Sequence, residues 1–211
     1  VDPSLSPHSL HHSSSPRPVD RHAMRFTAPV CILVGLAVAF QAAAQPEESC
    51  ANPVTVSQAC KGASDTHHGV DYDHCVRSLS PDPRSGEAVG IHDLAVLATK
   101  LAIEHAESTE SKISDLAELE DMESDPKKRA RYEHCLEQYG GAADQLRDAL
   151  DNLQAGVYGR ALELIMASLG ASQSCENAWQ GADKGSMPVA AHDREYDRMT
   201  HIAVGFTHAA A

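Results

Sequence analysis

Few residues of this 211-residue chain are spaced for chemistry. His67-His68 and Asp71-Tyr72-Asp73-His74 have the side-chain types of metal ligands. A metal site needs three or four convergent ligands, themselves oriented by outer groups. The same residues suit a solvated turn followed by carboxylates that cap a helix, and the sequence is read that way, with no metal and no cofactor expected. Glu118, Glu120, Asp121, Glu123 and Asp125 crowd one segment. General acid–base work needs two carboxylates in different environments, one of them partly buried. This run is too polar to bury and reads as a solvated face. No G-x-S-x-G elbow, phosphate loop, dinucleotide fingerprint or H-E-x-x-H occurs. Trp179, Tyr132 and Tyr139 fall on apolar stripes, where core packing outweighs ligand binding. The chain is read as a non-enzyme.

One basic concentration stands out, Lys127-Lys128-Arg129 with Arg131. It opens a helix, where the macrodipole disfavours cations. Such charges either serve a partner or pair with the adjacent acidic run, and both readings stay open.

Six cysteines remain to be placed: Cys31, Cys50, Cys60, Cys75, Cys135 and Cys175. No C-x-x-C pair occurs, which argues against a zinc ribbon or a thioredoxin-type site. Connectivity does not follow from sequence alone, but Cys60 and Cys75 flank a polar turn between two short helical segments. Cys135 and Cys175 come level if successive long helices run antiparallel. The expected bridges are therefore Cys60–Cys75 and Cys135–Cys175, with Cys50 left over.

The elements that must hold these residues are helical. Ala and Leu are frequent while aromatics make up only 4%, a balance that favours helix over sheet. Two short helices are expected, Val54 to Ala63 and Val70 to Leu79, followed by the breaker Ser80-Pro81-Asp82-Pro83-Arg84-Ser85-Gly86. Four long amphipathic helices follow. The first runs from His92 to Met122, with Leu94, Leu97, Leu101, Ile113, Leu116 and Leu119 as its stripe. The second is capped by Asp125, with Pro126 at its first position, and carries Tyr132, Leu136, Tyr139, Ala143, Leu146, Leu150 and Leu153. Gly140-Gly141 inside it marks a kink or a close helix contact, and Gly156 ends it. The third runs from Tyr158 to Trp179. The fourth opens at Ser186 and Pro188, with Tyr196, Met199, Ala203 and Phe206 as its stripe. Short connections predict an all-α, up-down-up-down four-helix bundle preceded by an α-hairpin.

Residues 1–44 do not fit that pattern. Val1 to Ala23 is rich in Ser, Pro and His and reads as an upstream segment outside any domain. Met24, Arg25, the apolar run Ala28 to Phe40 and Ala42-Ala43-Ala44 read as a signal peptide cleaved near Ala44-Gln45, so 24–44 is the leader and 45–211 the domain. The rival, a membrane anchor, needs about 20 apolar residues. Residues 45–211 carry 14 Lys+Arg against 28 Asp+Glu, a formal charge of -14. That surface repels nucleic acid and anionic lipid and suits a basic protein partner, although acidity also serves plain solubility. Nine histidines in this part predict pH-dependent affinity.

Several stretches carry a family likeness. Ala59-Cys60-Lys61, Val70-Asp71-Tyr72-Asp73-His74-Cys75-Val76-Arg77-Ser78-Leu79 and Asp82-Pro83 resemble the start of plant invertase and pectin methylesterase inhibitors. Tyr132-Glu133-His134-Cys135-Leu136-Glu137-Gln138-Tyr139, Ala149-Leu150, Ser174-Cys175-Glu176 and Ser186-Met187-Pro188-Val189 continue the likeness, which extends to the plane-tree pollen allergen-like subgroup. The resemblance implies a hairpin and bundle with the two bridges above. It also implies a secreted inhibitor that binds a carbohydrate-active enzyme of the plant cell wall 1:1 and covers its cleft. Invertase inhibitors of the family carry a Pro-Lys-Phe motif; the corresponding stretch here is Pro126-Lys127-Lys128, without the aromatic. Pectin methylesterase is therefore the expected target, with invertase the alternative. A helical storage or carrier protein without an enzyme target is the third reading and would need an apolar cavity.

Overall fold

Local capping rules account for where the helices begin. In the computed structural model, which describes residues 54–119, 125–181 and 187–211, Thr55 and Gln58 form a capping box. The Thr55 hydroxyl accepts from the Gln58 amide at 3.2 Å, and the Gln58 side chain accepts from the Thr55 amide at 3.1 Å. This starts α1, Val56–Thr66. Asp71 accepts from the His74 amide at 2.7 Å and starts α2, Tyr72–Leu79. The breaker then folds into a 3-10 turn, Pro83–Glu87. The expected leader, the tail 45–53 with Cys50, the acidic residues Glu120, Asp121 and Glu123, and Ser186 lie outside the described residues.

The bundle helices are α3, Ile91–Leu119; α4, Pro126–Gln154; α5, Tyr158–Ser168; α6, Gly170–Trp179; and α7, Ala190–Ala210. α3 packs on α4 and α7, α4 packs on α5 and α6, and α5 packs on α7, closing the expected four-membered ring. The α1–α2 hairpin lies mainly on α7. Described residues contain helices and turns and no strand.

Four sequence expectations shift. The segment Tyr158 to Trp179 is not one helix: it breaks at Leu169, where the Ser168 hydroxyl bonds back to the Ile165 carbonyl at 2.8 Å and Gly170 starts α6. Such back-bonding competes with the helix ladder. The last helix starts at Ala190, so Pro188 lies in the turn before it. No break occurs at Gly140-Gly141, since α4 runs unbroken through them; Gly140 instead lies close to Glu110 of α3. Leu119, expected on the apolar stripe, is 81% exposed at the end of α3. Gly156 does end α4. Its φ is 72°, and Val157 N bonds Asn152 O at 2.8 Å while Gly156 N bonds Leu153 O at 2.9 Å, the paired bonds of a Schellman motif.

The core is filled by Tyr132, Tyr139, Tyr196, Phe206, Leu146 and Ile165, all buried. Tyr132 meets Trp179 edge-on at 5.3 Å, and Tyr139 meets Tyr196 edge-on at 5.2 Å. The hairpin seats on α7 at Gly205, where an added Cβ would lie 3.1 Å from Ala63 Cβ and 3.2 Å from Val70 Cγ2. Gly141, by contrast, is exposed and faces open space. Gly205→Ala is therefore expected to destabilise by about 1 kcal/mol, overpacking outweighing the gain in helix propensity. Gly141→Ala is expected to stabilise by about 0.5–1 kcal/mol. Denaturant midpoints of the two variants check the opposite signs.

Candidate functional site

The residues singled out at the start of α4 are held by its cap. One Asp125 carboxylate oxygen accepts from the Lys127 amide at 3.1 Å and from the Lys128 amide at 3.0 Å. Pro126 takes a first-turn position, where its missing N–H costs nothing. Lys127 and Arg129 are exposed and Lys128 is partly covered. The cap fixes the backbone and sends long cationic side chains out from one end of the bundle.

One turn further, Arg131 lies over the Trp179 ring, 5.5 Å from its centroid. His134 Nε2 then sits 2.9 Å from Ser174 Oγ of α6. The Cys135–Cys175 bridge, with Cα atoms 4.8 Å apart, locks α4 to α6 beneath them. Arg131, His134, Ser174 and Asn177 line a shallow depression between these helices. A polar groove continues beyond Ser174, lined by Glu137, Gln138, Gln145 and Ala171 among others. The result is a broad ridge-and-groove face with a cationic end. Cys60 and Cys75 pair in the same manner in the hairpin, with Cα atoms 5.7 Å apart. These are the two pairs that the spacing suggested.

The histidine and carboxylate runs resolve into structural roles. Asp71 caps α2, and His67 closes α1 with Nε2 3.1 Å from Nδ1 of His201. Among the described residues no group of three or more His, Cys, Asp or Glu is arranged to hold a metal ion. Trp179, Tyr132 and Tyr139 are core side chains, as their stripe requires.

The sequence reading missed Asp193. It is 1% exposed. One carboxylate oxygen accepts from the Tyr139 hydroxyl of α4, and the other accepts from the Ser172 hydroxyl of α6 at 3.0 Å. Burial pushes its carboxyl up to about 6, against the two hydroxyls, which favour the ionised form. A perturbed buried carboxyl is often a catalytic signal, but here both oxygens are used by core hydroxyls and no groove reaches it, so its role is to join helices. The available signal was its spacing, one turn before Tyr196 on the apolar stripe of α7.

Comparison with known proteins decides what this bundle is. The family model described as "Plant invertase/pectin methylesterase inhibitor" matches residues 54–204, most of the chain and both bridges. The chain belongs to the plant invertase/pectin methylesterase inhibitor family. Its relatives within that family include the Platanus acerifolia protein named "Putative invertase inhibitor", 26% identical over 152 residues, which cover 72% of this chain and 83% of the relative. The Actinidia deliciosa protein named "Pectinesterase inhibitor" is 31% identical over 121 residues, 57% of this chain and 62% of the relative. Among solved structures, a mutant form of a pectin methylesterase inhibitor from Arabidopsis matches with a TM-score of 0.60 at 17% identity, covering 71% of this chain and 95% of that one. That likeness establishes the fold. Invertase/pectin methylesterase inhibitors are inhibitory proteins rather than catalysts, in keeping with a bundle whose unusual carboxyl group is sealed in the core. No described helix is long and apolar enough to cross a membrane.

Proposed function

We propose that this protein is a secreted inhibitor that binds pectin methylesterase 1:1 and occludes its active-site cleft in the plant cell wall. The observation that carries the reading is the bridge-braced α4–α6 face with Lys127 exposed at its capped end. A rigid face of this kind inhibits by covering a surface of about 800 Å² per partner and needs no reactive group. The stretch Pro126-Lys127-Lys128 lacks an aromatic side chain, which favours pectin methylesterase over invertase, as does the kiwifruit relative named as a pectinesterase inhibitor. The leader-like residues 24–44 support secretion.

Titration of a plant pectin methylesterase with the purified protein is expected to abolish ester hydrolysis at a 1:1 ratio. Lys127→Ala combined with Lys128→Ala is expected to weaken the complex about tenfold, mostly through slower association, because exposed interface charges act on encounter. No inhibition at micromolar excess across pH 4.5 to 7, against several isoforms, would sink the reading. Invertase is the second target, favoured by the name of the plane-tree relative; loss of sucrose cleavage in place of ester hydrolysis would select it.

A further inference from the structure

The seam between the α1–α2 hairpin and α7 is lined by histidines that the docking face does not use. His67 at the end of α1 is half-buried, and its Nε2 contacts His201 Nδ1 of α7 at 3.1 Å. The His201 ring fits here only because residue 69 is glycine, since a Cβ at Gly69 would fall against the ring atoms. His201 Nε2 lies 3.8 Å from Asp197 Oδ1. His208 of α7 and the neighbouring His68 also face His67. A second histidine, His74 of α2, is buried with Nε2 3.3 Å from Ser78 Oγ and 3.7 Å from Glu195 Oε2 of α7. Arg198 of α7 and Arg77 and Asp71 of the hairpin also face it. Glu195 is shared with His105 of α3, which in turn faces Glu104 and His192.

A contact between two imidazole nitrogens needs one N–H and one lone pair. It survives a first proton, because an imidazolium can donate to a neutral imidazole, and Asp197 favours placing that proton on His201. A second proton leaves two N–H groups facing each other. We propose that this seam is an acid-released latch: the His67–His201 contact, assisted by His74 against Glu195, holds the hairpin on the bundle near neutral pH and gives way once both rings of the pair are protonated. Burial, then the nearby imidazoles His201, His208 and His68, hold His67 below its ordinary value. His74 is likewise held down, chiefly by burial, with Glu195 acting in opposition. The docked state thus binds fewer protons than the released one below about pH 6.5, so docking strength is full above that pH and is lost as pH falls. The Cys60–Cys75 bridge ties α1 to α2 whether or not they are docked, so the two helices leave as one piece.

Hydrogen exchange on the full chain tests the latch, reading Val56–Thr66 and Tyr72–Leu79 amides against α4 amides and correcting for intrinsic rates. From pH 7 to pH 5, hairpin protection relative to α4 is expected to fall about tenfold, equivalent to one unit of proton linkage. His67→Gln with His74→Gln is expected to remove that pH response. Asp197→Asn, which leaves the hairpin intact, is expected to move the midpoint to lower pH. A protection ratio independent of pH in the natural chain would overturn the proposal, as would an undiminished response in the double Gln variant or an unmoved midpoint in Asp197→Asn.

Discussion

Asp193→Ala is expected to cost about 3 kcal/mol of stability at pH 5, and less at pH 7. The side chain is the shared acceptor for Tyr139 of α4 and Ser172 of α6. One turn on, the Tyr196 hydroxyl donates to the Ser168 carbonyl at the end of α5 at 2.7 Å. This stretch of α7 is thereby tied to three neighbours through buried polar groups. Removing the carboxyl leaves two core hydroxyls without a partner, each costing about 1–3 kcal/mol. The pH dependence follows from the direction of the shift. Burial raises the Asp193 carboxyl to about 6, above the value of about 4 in the unfolded chain. The folded state therefore keeps a proton that the unfolded state releases. The contribution of this group is full below about pH 4 and is lost as pH rises through about 6. Asp193→Asn keeps an acceptor and cannot ionise. The stability of the natural chain relative to that variant is expected to fall by about 2–3 kcal/mol between pH 4 and pH 7. Urea unfolding of both proteins at the two pH values measures it, and a constant difference would contradict the assignment. The sign is opposite to that of the histidine seam, so the two devices are separable: acid favours the α7 core network while it loosens the hairpin.

The second large effect is loss of the Cys135–Cys175 bridge. Cys135→Ala with Cys175→Ala opens a loop of 40 residues, worth about 4 kcal/mol by chain entropy. For a domain of this size that corresponds to a fall in Tm of about 10 °C. Alanine is the appropriate replacement because both sulfurs are buried, and serine would add orphaned hydroxyls. The Cys60–Cys75 bridge spans 15 residues and is worth about 3 kcal/mol by the same model. It ties only the hairpin, so its removal should leave the main calorimetric transition nearer its original temperature. A larger fall in Tm for the hairpin pair would reverse this ranking. The α4–α6 bridge also underlies the proposed docking face, so its loss should weaken inhibition of pectin methylesterase as well as stability.

Much of this protein is written in its chain. Apolar residues three and four apart fix the amphipathic helices, and Asp125-Pro126, Asp71 and Gly156 fix several of their ends, because caps act over one turn and depend on neighbours in sequence. The all-α class, the hairpin, the bundle order and the cysteine pairs follow from such local rules plus short connections. Tertiary contacts decided the rest. The break at Leu169 depends on which hydroxyl bonds back to its own helix. Whether Gly205 or Gly141 is the essential glycine depends on which backbone comes close. Leu119 carries the spacing of a core residue but lies exposed at the helix end. Asp193 reads in sequence as one more acid in an acidic chain, and the His67–His201 pair joins positions 134 apart. Periodicity reports which face of a helix is apolar; only the packed structure determines which polar groups on those faces meet with water excluded, where an unpaired hydrogen bond or charge costs most.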